Sequence, residues 1–317
     1  MLSFISRRIA YTVPIMIGVS LVCFALVHIS PGDPLVSILP PDASIELQEQ
    51  MMAIYGFDRS YPEQFFRWLS RAVQGDLGNS IATGRPVTSE VFNAVGNTLI
   101  LAVTATVIGF TLGSLFGFVA GFFRDSWIDK LASSVAVIGV SVPHYWLGMV
   151  LVIIFSVELA WLPATGAGPR GSSEWAWDWE HIQYLLLPAI TMSVIPMGIV
   201  ARTVRALVAD ILQQEFVTGL RAKGLLDQGV LAHVVKNAAP TALAVMGLQM
   251  GYLLGGSILI ETVFSWPGTG FLLGQAIFQR DLPLLQGTIL VLAMFFVILN
   301  LLVDIAQSAL DPRLQRS

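Results

Sequence analysis

The chain has 317 residues, 55% of them hydrophobic and 12% charged, with a mean hydropathy of +0.73 and a formal net charge of -4. That balance excludes an ordinary soluble domain and describes a polytopic helical membrane protein; with acidic residues gathered in the outer loops, nothing points to nucleic acid. The lone Cys23 allows no intrachain disulfide.

A helix crossing about 30 Å of hydrocarbon at about 1.5 Å per residue needs about 20 apolar residues. Runs near 9–29, 97–122, 131–159, 184–204, 241–262 and 286–308 meet that length, so about six spanning helices are expected. The first run is longer than the roughly 7–15 residues of a signal h-region, and HISPGDP after it offers no small-x-small cleavage site. It is therefore expected to stay in the protein.

Between the first two spans, residues 30–96 form an extended insertion with helical patterning of its own. IELQEQMMAIYGF reads as a short amphipathic helix ended by Gly56. Pro62 opens EQFFRWLSRAV, with an apolar stripe of Phe65, Phe66, Trp68 and Leu69 and a stop at Gly75. TSEVFNAV, with Thr88 as N-cap, is expected at the membrane interface as a turn into span two. The insertion reads as a lid of packed helices or as a platform for a partner.

Span two carries Gly113, Gly117 and Gly121, and span five repeats the spacing with Gly247, Gly251 and Gly255. Residues four apart share a helix face, and glycine there lets backbones approach closely. Pro143, Pro188 and Pro196 should kink or break spans three and four. The loop 160–183 holds Trp161, Trp175, Trp177 and Trp179, which suits interfacial anchoring. Polar residues within the spans are few. Glu261 and Asp304 lie near span ends, within reach of the interface, so neither is given a proton-relay role. Thr191, Ser193, Gln249, Ser257 and Asn300 could line a conduit or bond between helices.

The polar interval from Arg202 to Pro240 is the most telling stretch. It holds Arg202, Arg205, Arg221, Lys223 and Lys236. Arg7 and Arg8 precede span one, Arg124 and Lys130 sit in the turn between spans two and three, and Arg313 and Arg316 end the chain. The other face spreads Arg59, Arg67, Arg71, Arg85, Arg170 and Arg280 over far longer loops. The positive-inside bias thus predicts that both termini and the 202–240 interval are cytoplasmic. Within it, Phe216, Val217 and Leu220 mark one apolar face of a short helix, which Gly224 should terminate after the basic Arg221 and Lys223. Such a helix offers a soluble partner something to grip. Beyond Glu261, the residues Pro267, Gly268 and Gly270 predict a tight re-entrant turn on the outer side.

No GxxxxGK[ST], HExxH, GxSxG or clustered Cys/His pattern occurs, so neither catalysis nor a metal site is expected in this chain. A channel or secondary transporter working without ATP would want charged or unwound elements near mid-membrane, and these are scarce.

EFVTGLRAKG followed by His233, Asn237, Ala238 and Pro240 closely resembles the cytoplasmic signature of ABC-importer permeases. The rest is similar to the dipeptide/oligopeptide/nickel branch of that family: RRIAYTVPIMIGVSLVCFALVHISPGDP, GFDRSYPEQFFRWL, QGDLGNSIATGRPV, SVPHYWLGMVLVIIFSVELAWLPATG and, most specifically, ETVFSWPGTGFLLGQAIFQRDLPLLQG. The long first outer loop looks like that of the B-type partner of a permease pair. The resemblance implies an all-α permease domain over 1–317, of type I importer architecture, with the outer insertion 30–96 and a cytoplasmic coupling loop 205–240. It implies ATPase coupling through Glu215, Phe216, Val217, Leu220, Arg221, Ala222, Lys223 and Gly224, and an outer gate or turn at Glu261, Pro267, Gly268, Gly270, Arg280 and Asp281. The chain itself would hold no cofactor, ATP and magnesium belonging to separate ATPase subunits. The implied partners are one or two ATPases, a second homologous permease, an extracytoplasmic substrate-binding protein and the lipid bilayer of a bacterial inner membrane. Peptides are the implied substrate, with nickel chelates, glutathione or oligosaccharides as alternatives. One departure stands out: the broad signature's Glu-Ala-Ala falls on Thr218, Gly219 and Leu220, and relatives in the peptide branch usually keep a small residue where Leu220 stands.

Overall fold

The computed structural model describes residues 2–29, 39, 43–56, 58–169, 172 and 175–310, without the side chains of 2–10, 26–29, 54–55, 254, 256 and 303–310. The expectations placed on Arg7, Arg8, Arg170, Asp304, Arg313 and Arg316 lie outside the described side chains. The helices in order are α1 (Leu2–Ile29), α2 (Ile45–Tyr55), α3 (Tyr61–Val73), α4 (Val87–Phe122), α5 (Trp127–Ser141), α6 (His144–Leu151) with a π-helical continuation Val152–Glu158, α7 (Trp179–Leu212), α8 (Glu215–Ala222), α9 (Asp227–Val263), α10 (Thr269–Phe278) and α11 (Leu282–Leu310). Among the described residues α4, α7, α9 and α11 are long and apolar enough to cross a membrane, and the α5–α6 pair makes a fifth crossing if taken as one bent span. α1 contributes the apolar stretch Tyr11–Ala25. Five of the six apolar runs fall inside one of these helices, and the run 131–159 coincides with the bent pair up to Glu158.

The chain divides into two compact units, one of 1–98 and 267–299, the other of 99–266 and 300–317. In the first, Phe24 of α1 meets Phe65 of α3 edge-on at 5.4 Å between ring centroids, while Phe66 on the expected stripe is 67% exposed. Its core gathers Leu77, Val87, Val91, Ala276, Leu284 and Leu290. Both expected insertion helices form. Ser44 caps α2 by accepting the Leu47 N–H, and Pro62 lies in the first turn of α3. Beyond α3, the Arg71 guanidinium and the Gly78 N–H hold the Asp76 carboxyl below its usual range. The expected N-cap at Thr88 is corrected: α4 already starts at Val87 and runs unbroken through it. The Thr88 hydroxyl works outward instead, donating to the Gly75 carbonyl at 2.9 Å and accepting from the Leu77 N–H at 3.3 Å.

In the second unit, the glycines of α4 meet α7 directly. A Cβ on Gly113 would lie 2.7 Å from the Met197 carbonyl oxygen, one on Gly121 would lie 2.7 Å from that of Arg205, and one on Gly117 would collide with that of Ala201. Gly109 extends the stripe, 2.9 Å from the Ser193 carbonyl. On another side of α7, a Cβ on Gly198 would come within 2.6 Å of the Ala136 carbonyl of α5. The second triplet differs. Among the described residues, nothing lies within 4 Å of a Cβ on Gly255, and a Cβ on Gly251 has Asn300 Oδ1 alone, at 3.6 Å.

Proline acts unevenly. Val142 is extended, as a residue before proline prefers, and the α5–α6 pair bends there by 100°. Pro188 and Pro196 lie inside the continuous α7 and do not break it. Thr191 and Ser193 are buried, and their hydroxyls donate to the carbonyls of Leu187 and Ile190, each at 2.7 Å, inside their own helix. They are thereby satisfied locally.

Candidate functional site

The short helix α8 connects α7 to α9, and its two faces have different surroundings. Only residues 213–226 separate the long helices, so most of the predicted 205–240 loop is helix end rather than loop. Gln214 opens α8 without a side-chain cap, and Glu215 in the first turn suits the positive end of the helix dipole. At the other end the Leu225 N–H donates to the Leu220 carbonyl (3.1 Å) and the Gly224 N–H to that of Arg221 (2.9 Å). That pair of bonds is the Schellman arrangement, which needs a left-handed residue, and Gly224 supplies it with φ +82°. Arg221 stands in the last turn, as predicted, and approaches Asp227 at 3.9 Å.

The three apolar residues expected on one face do not share one. Val217 is 1% exposed and sits in a cluster with Val208 and Ile211 of α7 and Val230 and Val234 of α9. Leu220, partly buried, packs on the same cluster. Burying a valine this fully is worth about 1.5–3 kcal/mol. Phe216 instead is 38% exposed, beside exposed Glu215, Thr218, Gly219, Arg221, Ala222, Lys223 and Gly224. α8 is thus fastened by one edge and open along the rest. The departure at Leu220 has a role here, adding apolar area to the fastening.

The predicted outer turn also forms, with helix inside it. α9 ends in the same Schellman bonding, Trp266 N–H to Glu261 carbonyl (2.8 Å) and Ser265 N–H to Thr262 carbonyl (3.2 Å), with Ser265 at φ +46° in the glycine position. Glu261 does not reach the interface as its place near a helix end suggested; its side chain is fully buried. Trp266 is buried against Trp175, ring centroids 5.6 Å apart, so Trp175 is packed while Trp161, Trp177 and Trp179 stay exposed. In the other unit, the Pro267 carbonyl accepts from Asn97 Nδ2 (3.0 Å) and the Thr269 N–H donates to the Thr98 hydroxyl (2.9 Å). Gly268 precedes α10 and Gly270 is buried within it. Arg280 takes φ +53° at the end of α10. Asp281 is fully buried and caps α11 by accepting the Leu284 N–H (3.1 Å). It also accepts from the Ser80 hydroxyl (2.5 Å) and the Ala82 N–H (3.1 Å). Asn97, Thr98 and Ser80 carried no signal in the sequence, since single polar residues in a run announce no partner 170 or more positions away.

Comparison with known proteins decides the family. Residues 113–316 match the family model described as binding-protein-dependent transport system inner membrane component, and residues 1–103 match the N-terminal model of the same systems. The chain belongs to this permease family. It is 37% identical over 316 residues to the glutathione transport system permease protein GsiC of Escherichia coli K12, covering 99% of both chains. It is equally identical over 333 residues to the dipeptide transport system permease protein DppB of Alkalihalophilus pseudofirmus, covering 99% of this chain and all of that one. Its fold matches a chain of the inward-facing MetNI methionine ABC transporter at 15% identity with a TM-score of 0.56, over 70% of this chain and 96% of that one. The permease is accordingly a multi-pass inner-membrane subunit of an ABC importer, and its family implies ATPase and substrate-binding partners.

Proposed function

We propose that the permease forms half of the pathway by which short peptides, delivered by an extracytoplasmic binding protein, cross the bacterial inner membrane. A second homologous permease forms the other half. Peptides are favoured because the relatives named for a dipeptide and for glutathione, itself a small peptide, match this chain equally well. ATP and magnesium are handled by one or two ATPase subunits on the cytoplasmic side, and α8 is the part they push. The observation that carries this reading is the division of α8: Val217 and Leu220 hold it to the α7–α9 core, while Phe216, Thr218, Gly219 and Ala222 lie open. A helix fastened along one edge transmits force to the spans behind it. ATP-bound and ATP-free motors must interact differently with α8 for work to pass.

Phe216→Asp is the direct test, because it alters the open face without touching the core; Leu220 is a poorer probe, since it helps hold α8 in place. The variant should insert and accumulate normally yet lose nearly all uptake of a labelled dipeptide or labelled glutathione, whichever the parent transports. Normal uptake at normal abundance would remove α8 from the coupling route.

A further inference from the structure

We propose that Asp129 and Arg205 form a register lock that makes the α4–α5 turn, α7 and α8 move as one body; this rests on α8 being the part the ATPase drives. Asp129 is buried in the first turn of α5 and receives the Arg205 guanidinium through both Nε (2.5 Å) and Nη2 (2.7 Å). It also accepts the Asp125 N–H (2.9 Å) and the Ser133 hydroxyl (3.1 Å), and its own N–H donates to the Ser126 hydroxyl (3.3 Å). Asp125 is held at φ +66°, so the whole tight turn after α4 is organised around this carboxylate. A planar guanidinium fork fixes both distance and orientation.

The glycine stripe of α4, taken alone, leaves the register of α7 against it open. The glycines of α4 recur every four residues at 109, 113, 117 and 121, and each meets an α7 carbonyl, those of Ser193, Met197, Ala201 and Arg205. A surface that repeats every four residues fits nearly as well after a slip of about one turn, roughly 5.4 Å. The ion pair has no such periodicity. A four-residue slip would bring Ala201 or Ala209 to the place of Arg205 and leave a buried carboxylate without its cation. Setting register is the best-attested use of a buried ionic group. Arg205 lies seven residues before the end of α7, about 10 Å from the start of the link to α8, and Asp129 begins the helix that leads to the 100° bend. Displacement imposed on α8 therefore reaches the bent span without loss in sliding between helices.

The test uses the assembled importer in lipid, with spin labels on cysteines at exposed Trp127 and Thr218 and their distance measured without nucleotide and after trapping with ATP and vanadate. The parent should keep one narrow distance in both states. Asp129→Asn, which removes the charge and keeps one of the two acceptor oxygens used by the Asp125 N–H and the Ser133 hydroxyl, and Arg205→Gln should each add a second population displaced by several ångströms, up to about one helical turn. The double variant should be no worse than either single one, as expected for two halves of one interaction. Arg205→Lys, which keeps charge but not the fork, should fall between and covers the case in which the other variants fail to assemble. A single unchanged distance in the variants, or a distance that already changes in the parent, overturns the lock. A cysteine at Ala222 cross-linked to the ATPase in the same preparation separates the two readings. Absence of that cross-link in the parent overturns the coupling role of α8 and the lock with it, whereas its presence with no effect of the variants overturns the lock alone.

Discussion

Ser265 and Arg280 occupy, at helix ends, a left-handed backbone conformation that glycine favours. α3, α8, α9 and α10 all end in Schellman bonding, with Gly75, Gly224, Ser265 and Arg280 at the left-handed position. The two glycines were legible as helix stops because glycine is the residue that position prefers. The serine and the arginine were not, since nothing in their chemistry marks them for it. A side chain there costs about 1–2 kcal/mol, and glycine loses roughly 0.5–1 kcal/mol more chain entropy on folding. Ser265→Gly should therefore stabilise the permease slightly, by up to about 1 kcal/mol, read as a rise in midpoint during thermal unfolding in detergent. A lowered midpoint would mean the Ser265 side chain contributes more than its backbone strain removes.

At the level of elements, two identical glycine spacings turned out unlike. The α4 triplet is filled by the backbone of α7, whereas the α9 triplet has an open face at Gly255. Spacing reports which residues share a face, but not whether another helix lies on it. Gly117→Leu should push α4 from α7 and destabilise the isolated subunit by several kcal/mol, within the range for forced overpacking or above it. Gly255→Leu should leave the isolated subunit as stable as the parent. The pair is compared by thermal unfolding of the purified chain, and equal losses would contradict the difference between the two faces. The bend after Val142 belongs to this scale as well. Pro143 broke its span and Pro188 and Pro196 did not break theirs, because α7 is packed on several sides whereas α5 ends in the extended Val142 just before Pro143.

At the scale of the whole molecule, the permease family implies partner subunits. Gentle solubilisation from the native membrane and purification through this chain should bring with it a second permease of the same family and one or two ATPases, identified by mass spectrometry. A homo-oligomer without an ATPase in several mild detergents would favour an ATP-independent transporter. The sequence alone determined the membrane class, the apolar runs, the short helix after Gln214 and its glycine stop. These depend on local composition, on 3.6-residue periodicity and on a conformation that glycine favours. The resemblance of EFVTGLRAKG and of the 261–287 block to importer permeases also lay in the order of residues itself. Only the tertiary structure decided that Val217 and Leu220 face inward, that Glu261 is buried, that Asp281 gathers the Ser80 loop, and that Asp129 receives Arg205. Each of those depends on which distant residue the fold brings alongside, and a linear pattern carries no record of that pairing.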